Sequence, residues 1–546
     1  MRNIKFILVI VVTILVSCSK DSFSEPPTVE PPNEATTGDE VILDMNTTYQ
    51  TIHHFGSSDA WSTEIIGRNW PNTEKELISK LLFSKETDQQ GQPEGIGLSM
   101  WRTNVGSGSA NQQNNGFSSD AWFRSSECTL KPDGTYDWTQ QEGSRWFLSK
   151  AKEYDVENIT GFVTSAPYFF TKNGYTFSTS GITGLNLLDN KYDDFAQYLA
   201  EYVKYNTGLG IPIDYLSLIN EPQWGWQYDV GAAAQEGTPC TNDEAKNLAE
   251  AVNTVFQAEN IPTKLILPEA AHYSFLYGTD SSSPNASNQI NDFWNSGSSK
   301  YLGSLNSVEK TVAGHAYWNN PNVETAISKR KALYQSLESA NADFWQTEYS
   351  ILGGDYLQNM NETDLKEIDY SLWLARIIHW DLAIANATGW SFWTSLSRVQ
   401  CCDHKYRFGL LNWYPNSESR SSSFGTIEIT KNLWALGNYS RFVRPGMVRF
   451  KIDNKAFSSD VSASNNFMIS GFINSGANEI VLVCINYQDS SRDIKLKTSG
   501  EELNIEGASF ITYTTSSNKN LFKSTTDIDS VTIPGKSIVT LTAKLK

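Results

Sequence analysis

The sequence predicts an α/β fold: a (β/α)8 TIM barrel followed by a C-terminal side β-sandwich domain. Two observations carry this. Between residues 51 and 438, short β-rich apolar runs alternate with stretches whose apolar residues recur at three- and four-residue spacing, giving eight βα-type units. After about residue 440 the helical patterning stops, and short strands follow one another between Gly, Ser and Asn turns.

At the N-terminus, Arg2 and Lys5 form a short basic region, and Phe6 to Val16 is an apolar run too short to span a bilayer stably. Leu15-Val-Ser-Cys18 closes that run and resembles the lipobox of bacterial lipoproteins. The resemblance makes residues 1–18 a signal peptide and Cys18 the site of lipidation. Ser19-Lys-Asp21 resembles the surface-export signals of Bacteroidetes lipoproteins. The expectation is an outer-membrane lipoprotein, exposed at the cell surface or facing the periplasm and touching the membrane through its lipid anchor alone. Residues 19–40 are rich in Pro, Glu, Ser and Thr, with Pro26-Pro27 and Pro31-Pro32 fixing extended geometry. They form a solvated tether.

Val41-Ile-Leu43 is a first short strand, within residues 41–50. The barrel, residues 51–438, then takes its eight strands from Thr51 to Gly56, Ile96 to Asn104, Ile159 to Thr164, Ile213 to Ile219, Lys264 to Leu267, Thr311 to Tyr317, Phe344 to Thr347 and Gly389 to Trp393. Helices are expected at Tyr192 to Val203, Asp243 to Phe256, Val323 to Leu337 and Tyr370 to Ala385. In the β-domain, residues 439–546, strands are expected at Phe467 to Phe472, Glu479 to Ile485, Asp493 to Leu496, Ser509 to Tyr513 and Ser537 to Thr542.

With 546 residues, 39% of them hydrophobic, the chain has ample material for more than one domain. Aromatic residues reach 12%, including 17 Trp and 24 Tyr, a surplus suited to stacking on sugar faces as well as to filling a core. A net charge of −18 and a pI near 4.9 argue against a nucleic-acid partner and disfavour polyanionic substrates, local basic pockets aside. A neutral polysaccharide fits better. Apart from Cys18 the cysteines are Cys128, Cys240, Cys401, Cys402 and Cys484, an odd and sparse set that makes no disulfide framework. Adjacent thiols in Cys401-Cys-Asp-His404 do not converge on one ion as zinc ligands do. His53 and His54 are expected on opposite faces of a strand. No metal or cofactor is expected, and the chain is expected to be a monomer.

Two segments carry the chemistry. Leu218-Ile-Asn-Glu-Pro222 and Trp345-Gln-Thr-Glu-Tyr349 each place a glutamate at the end of a β-rich run. In a (β/α)8 barrel, residues at the C-terminal ends of strands line the active-site mouth. Glu221 falls there on the fourth strand and Glu348 on the seventh. Two carboxylates facing one gap are what glycosidic cleavage requires.

The arrangement resembles clan A glycoside hydrolases, and residues 41 to 546 are similar to glycoside hydrolase family 30, in its endo-β-1,6-galactanase-like branch. The matching segments are Phe55-Gly56, Trp101-Arg-Thr-Asn-Val-Gly106, Ser165-Ala-Pro-Tyr168 with Lys172-Asn-Gly174, Asn220-Glu-Pro-Gln-Trp224, His315-Ala-Tyr317 and Arg441-Phe-Val-Arg-Pro-Gly446. The resemblance implies a retaining enzyme with Glu221 as acid/base, Glu348 as nucleophile and Asn220 on the sugar 2-OH. It also implies a side domain that uses both chain ends, so that the strand at 41–43 joins the β-domain. Where the family often carries Gly-Phe-Gly-Gly, this chain has His54-Phe-Gly-Ser57, a departure that bears on the shape of the nearest subsite.

Glu348 needs donors to stay ionised, and Arg102 at the end of strand two and Tyr317 at the end of strand six are the candidates. Trp393 is expected to be a sugar platform; Trp224 and Trp226 are either platforms or packing residues. His315 either binds sugar or braces the site, and Glu269 either contacts substrate or is structural. The resemblance points to β-1,6-galactan side chains of arabinogalactan, with xylan and β-1,6-glucan as alternatives. A non-catalytic glycan-binding lipoprotein is the alternative class.

Overall fold

The computed structural model describes residues 38–112, 116–352, 354–398, 405–499 and 503–546. The signal peptide, most of the tether, Cys18 and Cys401 to His404 lie outside the described residues.

The chain opens with β1 (Asp39–Thr51) and then β2 (His54–Ser58), β3 (Met100–Val105), β4 (Asn158–Val163), β5 (Tyr215–Ser217), β6 (Lys264–Ala270), β7 (Val308–His315), β8 (Asp343–Glu348) and β9 (Gly389–Phe392). Strands β2 to β9 close into a barrel, each parallel to its neighbours and β9 pairing back onto β2. Between them run helices α1 (Ser62–Asn69), α2 (Asn72–Phe83), α3 (Glu142–Glu153), α4 (Tyr192–Gly208), α5 (Asn242–Ala258), α6 (Tyr273–Tyr277), α7 (Gln289–Trp294), α8 (Val323–Ala340) and α9 (Glu367–Ala383). Helix α5 shows the local causes well. Thr241 and Glu244 close a capping box at its start, and Ala245, Leu248, Ala249, Val252 and Phe256 make its buried stripe. Helix α9 is apolar nearly all round because it is covered on both sides, by the barrel and by the β-domain.

The barrel interior is plugged at its N-terminal end. Met100, Ile266 and Trp345 pack there with Tyr215, and the rings of His53 and His54 join them. This corrects the expectation for the two histidines. His53 precedes β2 and escapes its alternation, so its Nδ1 meets Nδ1 of His54 at 2.9 Å while its Nε2 bonds Tyr215. A side chain on Gly389 would run into the His54 ring, 2.2 Å from a Cβ there, which explains a glycine at that register position.

After β9 comes a three-stranded sheet of β10 (Leu396–Arg398), β11 (Leu411–Pro415) and β12 (Gly425–Ile429), within a stretch that carries no clear strand signal in the sequence. Helix α10 (Lys431–Ser440) then leads into β13 (Val448–Asn454), α11 (Asp460–Asn466), β14 (Phe467–Asn474), β15 (Glu479–Asn486), β16 (Arg492–Thr498), β17 (Ser509–Ser516), β18 (Lys519–Asp527), β19 (Val531–Ile533) and β20 (Ser537–Lys544). Helix α11 departs from the expectation that helices cease after residue 440: seven residues form it behind a Ser459 cap, five of them polar, and Val461 and Ala463 alone are too few for an apolar stripe to announce it.

The side domain is one continuous nine-stranded sheet, ordered β18-β17-β20-β15-β14-β13-β1-β16-β19. Strand β1 sits inside it, antiparallel to β13 and parallel to β16, so both chain ends build this sheet. Alternation along β15 shows how it works. Ile480, Leu482 and Cys484 face the domain's own core with Val41, Leu43 and Leu541, while Val481, Val483 and Ile485 join the core shared with the barrel. Arg441 and Arg444, just after α10, fasten the junction: Arg441 donates to the carbonyls of Ser84 and Gly95, and Arg444 pairs with Glu157. Among the described residues no helix is long and apolar enough to cross a membrane. Cys128, Cys240 and Cys484 are buried free thiols.

Candidate active site

The C-terminal mouth of the barrel gathers most of the polar residues that the sequence singles out. Glu348 is the last residue of β8, and Glu221 lies just beyond β5; both are buried. Glu221 adopts φ +44, the left-handed region that a β-carbon disfavours by about 1–2 kcal/mol. Its N–H donates to the Glu269 carbonyl across to β6, which holds the turn in place. A carboxylate oxygen of Glu221 and one of Glu348 come within 4.8 Å of each other.

Arg102 enters from β3 and is 2% exposed. Its Nη1 donates to Glu348 Oε2 at 2.9 Å and to Ser58 Oγ at 3.0 Å; Nη2 reaches Asn220 Oδ1 at 3.4 Å. Its guanidinium also lies over the Phe162 ring, 4.0 Å from the centroid. Tyr317 donates its hydroxyl to Glu348 Oε1 at 3.2 Å. Both oxygens of Glu348 therefore have donors. Ser57, at the departure from the family pattern, is turned toward Phe392 and Ser395, and its neighbour Ser58 is the residue that meets Arg102.

His315 sits between two glutamates, Nδ1 3.0 Å from Glu221 Oε1 and Nε2 3.0 Å from Glu269 Oε2. Burial alone would lower its pKa, but the charge of Glu348 and the bonds to Glu221 and Glu269 outweigh it and raise it to about 10. His315 is thus an imidazolium at neutral pH. Glu269 is fully buried, which favours its neutral form. Arg102, His315 and the Thr347 hydroxyl overcome this and lower its pKa to about 2. For Glu221 burial dominates and raises the pKa, with Glu348 adding to the shift. Charge counting agrees: Arg102 and His315 balance Glu348 and Glu269, so a proton on Glu221 leaves the cluster neutral.

Glu221, His315 and Glu348 place three ligand-type atoms near one another. A cation among them would face the Arg102 guanidinium and the His315 imidazolium, which already supply the positive charge. The arrangement suits hydroxyl and acetal oxygens better than a metal ion.

Above the carboxylates lies a cavity of about 440 Å³. Trp393, Trp224, Trp226, Asn220 and Tyr317 line it as the sequence-derived candidates, together with both glutamates. Trp226 donates its indole N–H to the Glu221 carbonyl at 3.2 Å. His315 lies beneath, fully buried, and braces Glu221. Glu269 likewise sits under the site, without lining the cavity.

Sequence reasoning misses Trp61 and Trp318, which line the same cavity. Trp61 meets Trp393 edge-on at 5.3 Å between ring centres, and Trp318 meets Trp224 at 5.0 Å. Both follow a strand in the left-handed region, φ +68 and +54, where no periodicity marks them. It also misses Glu236, a fully buried carboxylate that accepts from Ser126 Oγ at 2.6 Å, Thr164 Oγ1 at 2.9 Å and the Ser109 N–H at 3.1 Å. Glu236 pins three mouth loops together.

Comparison with known proteins adds to this geometry. Residues 39–406 match the model of "O-Glycosyl hydrolase family 30". An exo-β-1,6-galactobiohydrolase of Bifidobacterium longum subsp. longum is 31% identical over 118 residues, which is 21% of this chain and 8% of the length of that relative. Among solved structures, a conserved exported protein from Bacteroides fragilis superposes with a TM-score of 0.84 at 32% identity, covering 92% of this chain and all of the other. The catalytic domain of family 30 xylanase C from Talaromyces cellulolyticus shares the fold, with a TM-score of 0.63 at 21% identity over 93% of this chain and 100% of that one.

Proposed function

The chain belongs to O-glycosyl hydrolase family 30, and from that premise we propose that it is a retaining β-glycanase with Glu348 as nucleophile and Glu221 as acid/base. The observation that carries this reading is the approach of the two carboxylates to within 4.8 Å. Retaining pairs stand about 5–5.5 Å apart, whereas inverting pairs need about 6.5–9.5 Å to admit a water.

In the first step a Glu348 oxygen bonds to the anomeric carbon as the bond to the leaving oxygen breaks. Glu221 delivers its proton to that oxygen. A water then enters, gives its proton to Glu221 and attacks the anomeric carbon, releasing Glu348. Arg102 and Tyr317 hold the two Glu348 oxygens before attack and receive the carboxylate as a leaving group afterwards. Asn220, held by Arg102 at the cavity wall, is the residue we propose for the sugar 2-OH.

The substrate we propose is β-1,6-linked galactan, as in arabinogalactan side chains. The motif resemblance and the galactobiohydrolase match favour it, along with an apolar tryptophan-lined cavity suited to neutral sugars. Product analysis on galactan, xylan and β-1,6-glucan with wild type and Glu348→Gln tests both parts. Galactan is expected to be cleaved and the variant to be nearly inactive. Cleavage of xylan or glucan instead replaces the substrate, and unchanged turnover by Glu348→Gln removes the nucleophile assignment. Wild type that binds these glycans without cleaving any would be the binding protein of the alternative class.

The reading extends to the N-terminus. The basic start, the apolar run and Leu15-Val-Ser-Cys18 support cleavage before Cys18, diacylation there and attachment to the outer membrane of an enzyme that we propose to be a monomer. Incorporation of labelled palmitate in wild type and its loss in Cys18→Ala checks this.

A further inference from the structure

A second cavity of about 440 Å³ opens where the segment after β8, helix α9 and the β-domain meet. None of its lining residues belongs to the catalytic mouth. Arg376 of α9 lines it and is 4% exposed. Among the described residues Arg376 forms no ion pair, and its buried Nε has no hydrogen-bond acceptor. The guanidinium lies instead over the Tyr487 ring, 3.5 Å from the centroid, with the Trp373 ring at 5.2 Å.

Buried arginines are ordinarily paired with a carboxylate or other acceptor. Among the described residues the other charges that line the cavity do not supply one at ion-pair distance. Lys536 stands 3.5 Å from Asp369, so those two offset each other, and Glu324 is exposed at the rim. Among the described residues Arg376 has no carboxylate at ion-pair distance, and it faces an open cavity in a chain whose net charge is −18. The wall beside it is aromatic: Tyr487 is half-buried and Tyr356 is 40% exposed.

We propose that this cavity is a second saccharide site that takes a sugar bearing a carboxylate, a uronate. A planar guanidinium fork matches a carboxylate through two parallel hydrogen bonds. Aromatic faces next to it accept the C–H face of the sugar ring. The volume lies within the range of about 300–1,000 Å³ that small-molecule sites occupy. The site goes beyond the proposed hydrolysis, since it touches none of the catalytic residues. By holding an acidic branch of a glycan it raises the effective concentration of the neutral chain at the catalytic mouth.

Ligand-observed NMR titration with D-glucuronate, D-glucose and inorganic phosphate tests it, on wild type, Arg376→Gln and Tyr356→Ala. Glucuronate is expected to bind wild type, to bind Arg376→Gln at least tenfold more weakly and to bind Tyr356→Ala at least threefold more weakly. Glucose binding is expected to be the same in wild type and Arg376→Gln, and turnover of the neutral glycan to stay within twofold in all three proteins. Thermal unfolding shows whether Arg376→Gln is folded; if it is not, Tyr356→Ala decides. Equal glucuronate affinity in wild type and the folded variants overturns the proposal. So does phosphate that binds as tightly as glucuronate and depends equally on Arg376, because that describes an anion hole without a sugar platform.

Discussion

Glu221 and Glu348, carried on the fourth and seventh strands of the barrel, bring carboxylate oxygens within 4.8 Å of each other. That approach is nearer the separation of about 5–5.5 Å typical of retaining pairs than the roughly 6.5–9.5 Å of inverting ones. The expected outcome is that the β-anomer appears first in an NMR time course of hydrolysis and mutarotates later. An α-anomer as the first product would remove the double-displacement mechanism.

A pH dependence follows from the bridge between His315 and Glu269. The pKa of His315 is raised to about 10, so its stabilising charge is fully present below its ordinary value near 6.5 and is lost as pH rises toward 10. The pKa of Glu269 is lowered to about 2, so its contribution is present above 4.5 and is lost as pH falls toward 2. Glu269→Gln removes one half of the bridge. The Tm deficit of this variant relative to wild type is expected to be largest between about pH 4.5 and 6.5 and to shrink toward either extreme. Its kcat/KM is also expected to fall, as His315 loses the partner that orients it toward Glu221. A deficit that stays constant across pH would show that Glu269 acts through packing alone.

The barrel was legible in the sequence because its strands are buried on both faces and appear as apolar runs. Each of the eight expected runs overlaps a barrel strand. The side domain was harder to read. In β18 only Leu521 is buried, and the strand exists because β17 offers it a ladder, so its own residues carry little signal. Strand β1 shows apolar pattern only at Val41 to Leu43 yet runs from Asp39 to Thr51 between two partners. At the site, Arg102, read as a strand end, lies in the middle of β3, while Glu221, Glu348 and Tyr317 were legible as strand-end residues. Trp61, Trp318 and Glu236 were not, because loop conformation brings them in, and neither period nor motif encodes it.

Two tryptophan pairs stand at the mouth, and near and distant subsites are the roles we propose for them. Trp393 lies beside the catalytic residues, 6.0 Å from the Arg102 guanidinium, while Trp318 is 39% exposed at the cavity rim against Trp224. An aromatic contact is worth about 0.5–1.5 kcal/mol beyond its buried area, or about 2- to 13-fold in affinity. Trp318→Ala is expected to raise KM by about that factor for long oligosaccharides and to leave the shortest cleaved substrate unaffected. Trp393→Ala is expected to lower kcat as well as to raise KM for every substrate. Steady-state kinetics across a chain-length series checks both, and equal effects of Trp318→Ala at all lengths would place Trp318 next to the scissile bond.

The largest loss of stability is expected away from the mouth, at Asp381. Arg330 Nε donates to its Oδ1 at 2.7 Å, the Tyr273 hydroxyl to the same oxygen at 2.8 Å and the Trp390 indole to Oδ2 at 2.9 Å, and Asp381 and Arg330 are both fully buried. The carboxylate thus joins α9, α8, α6 and β9. Asp381→Ala leaves a buried guanidinium without its counter-charge, and breaking such a pair costs about 3–5 kcal/mol. Replacing both partners, as in Arg330→Met with Asp381→Leu, is often harmless for an isolated pair. Here it would leave the Tyr273 hydroxyl and the Trp390 N–H without an acceptor, each at a cost of about 1–3 kcal/mol. Chemical denaturation of the single and double variants is therefore expected to show the double variant still well below wild type. Full recovery in the double variant would mean that the two aromatic donors find other acceptors.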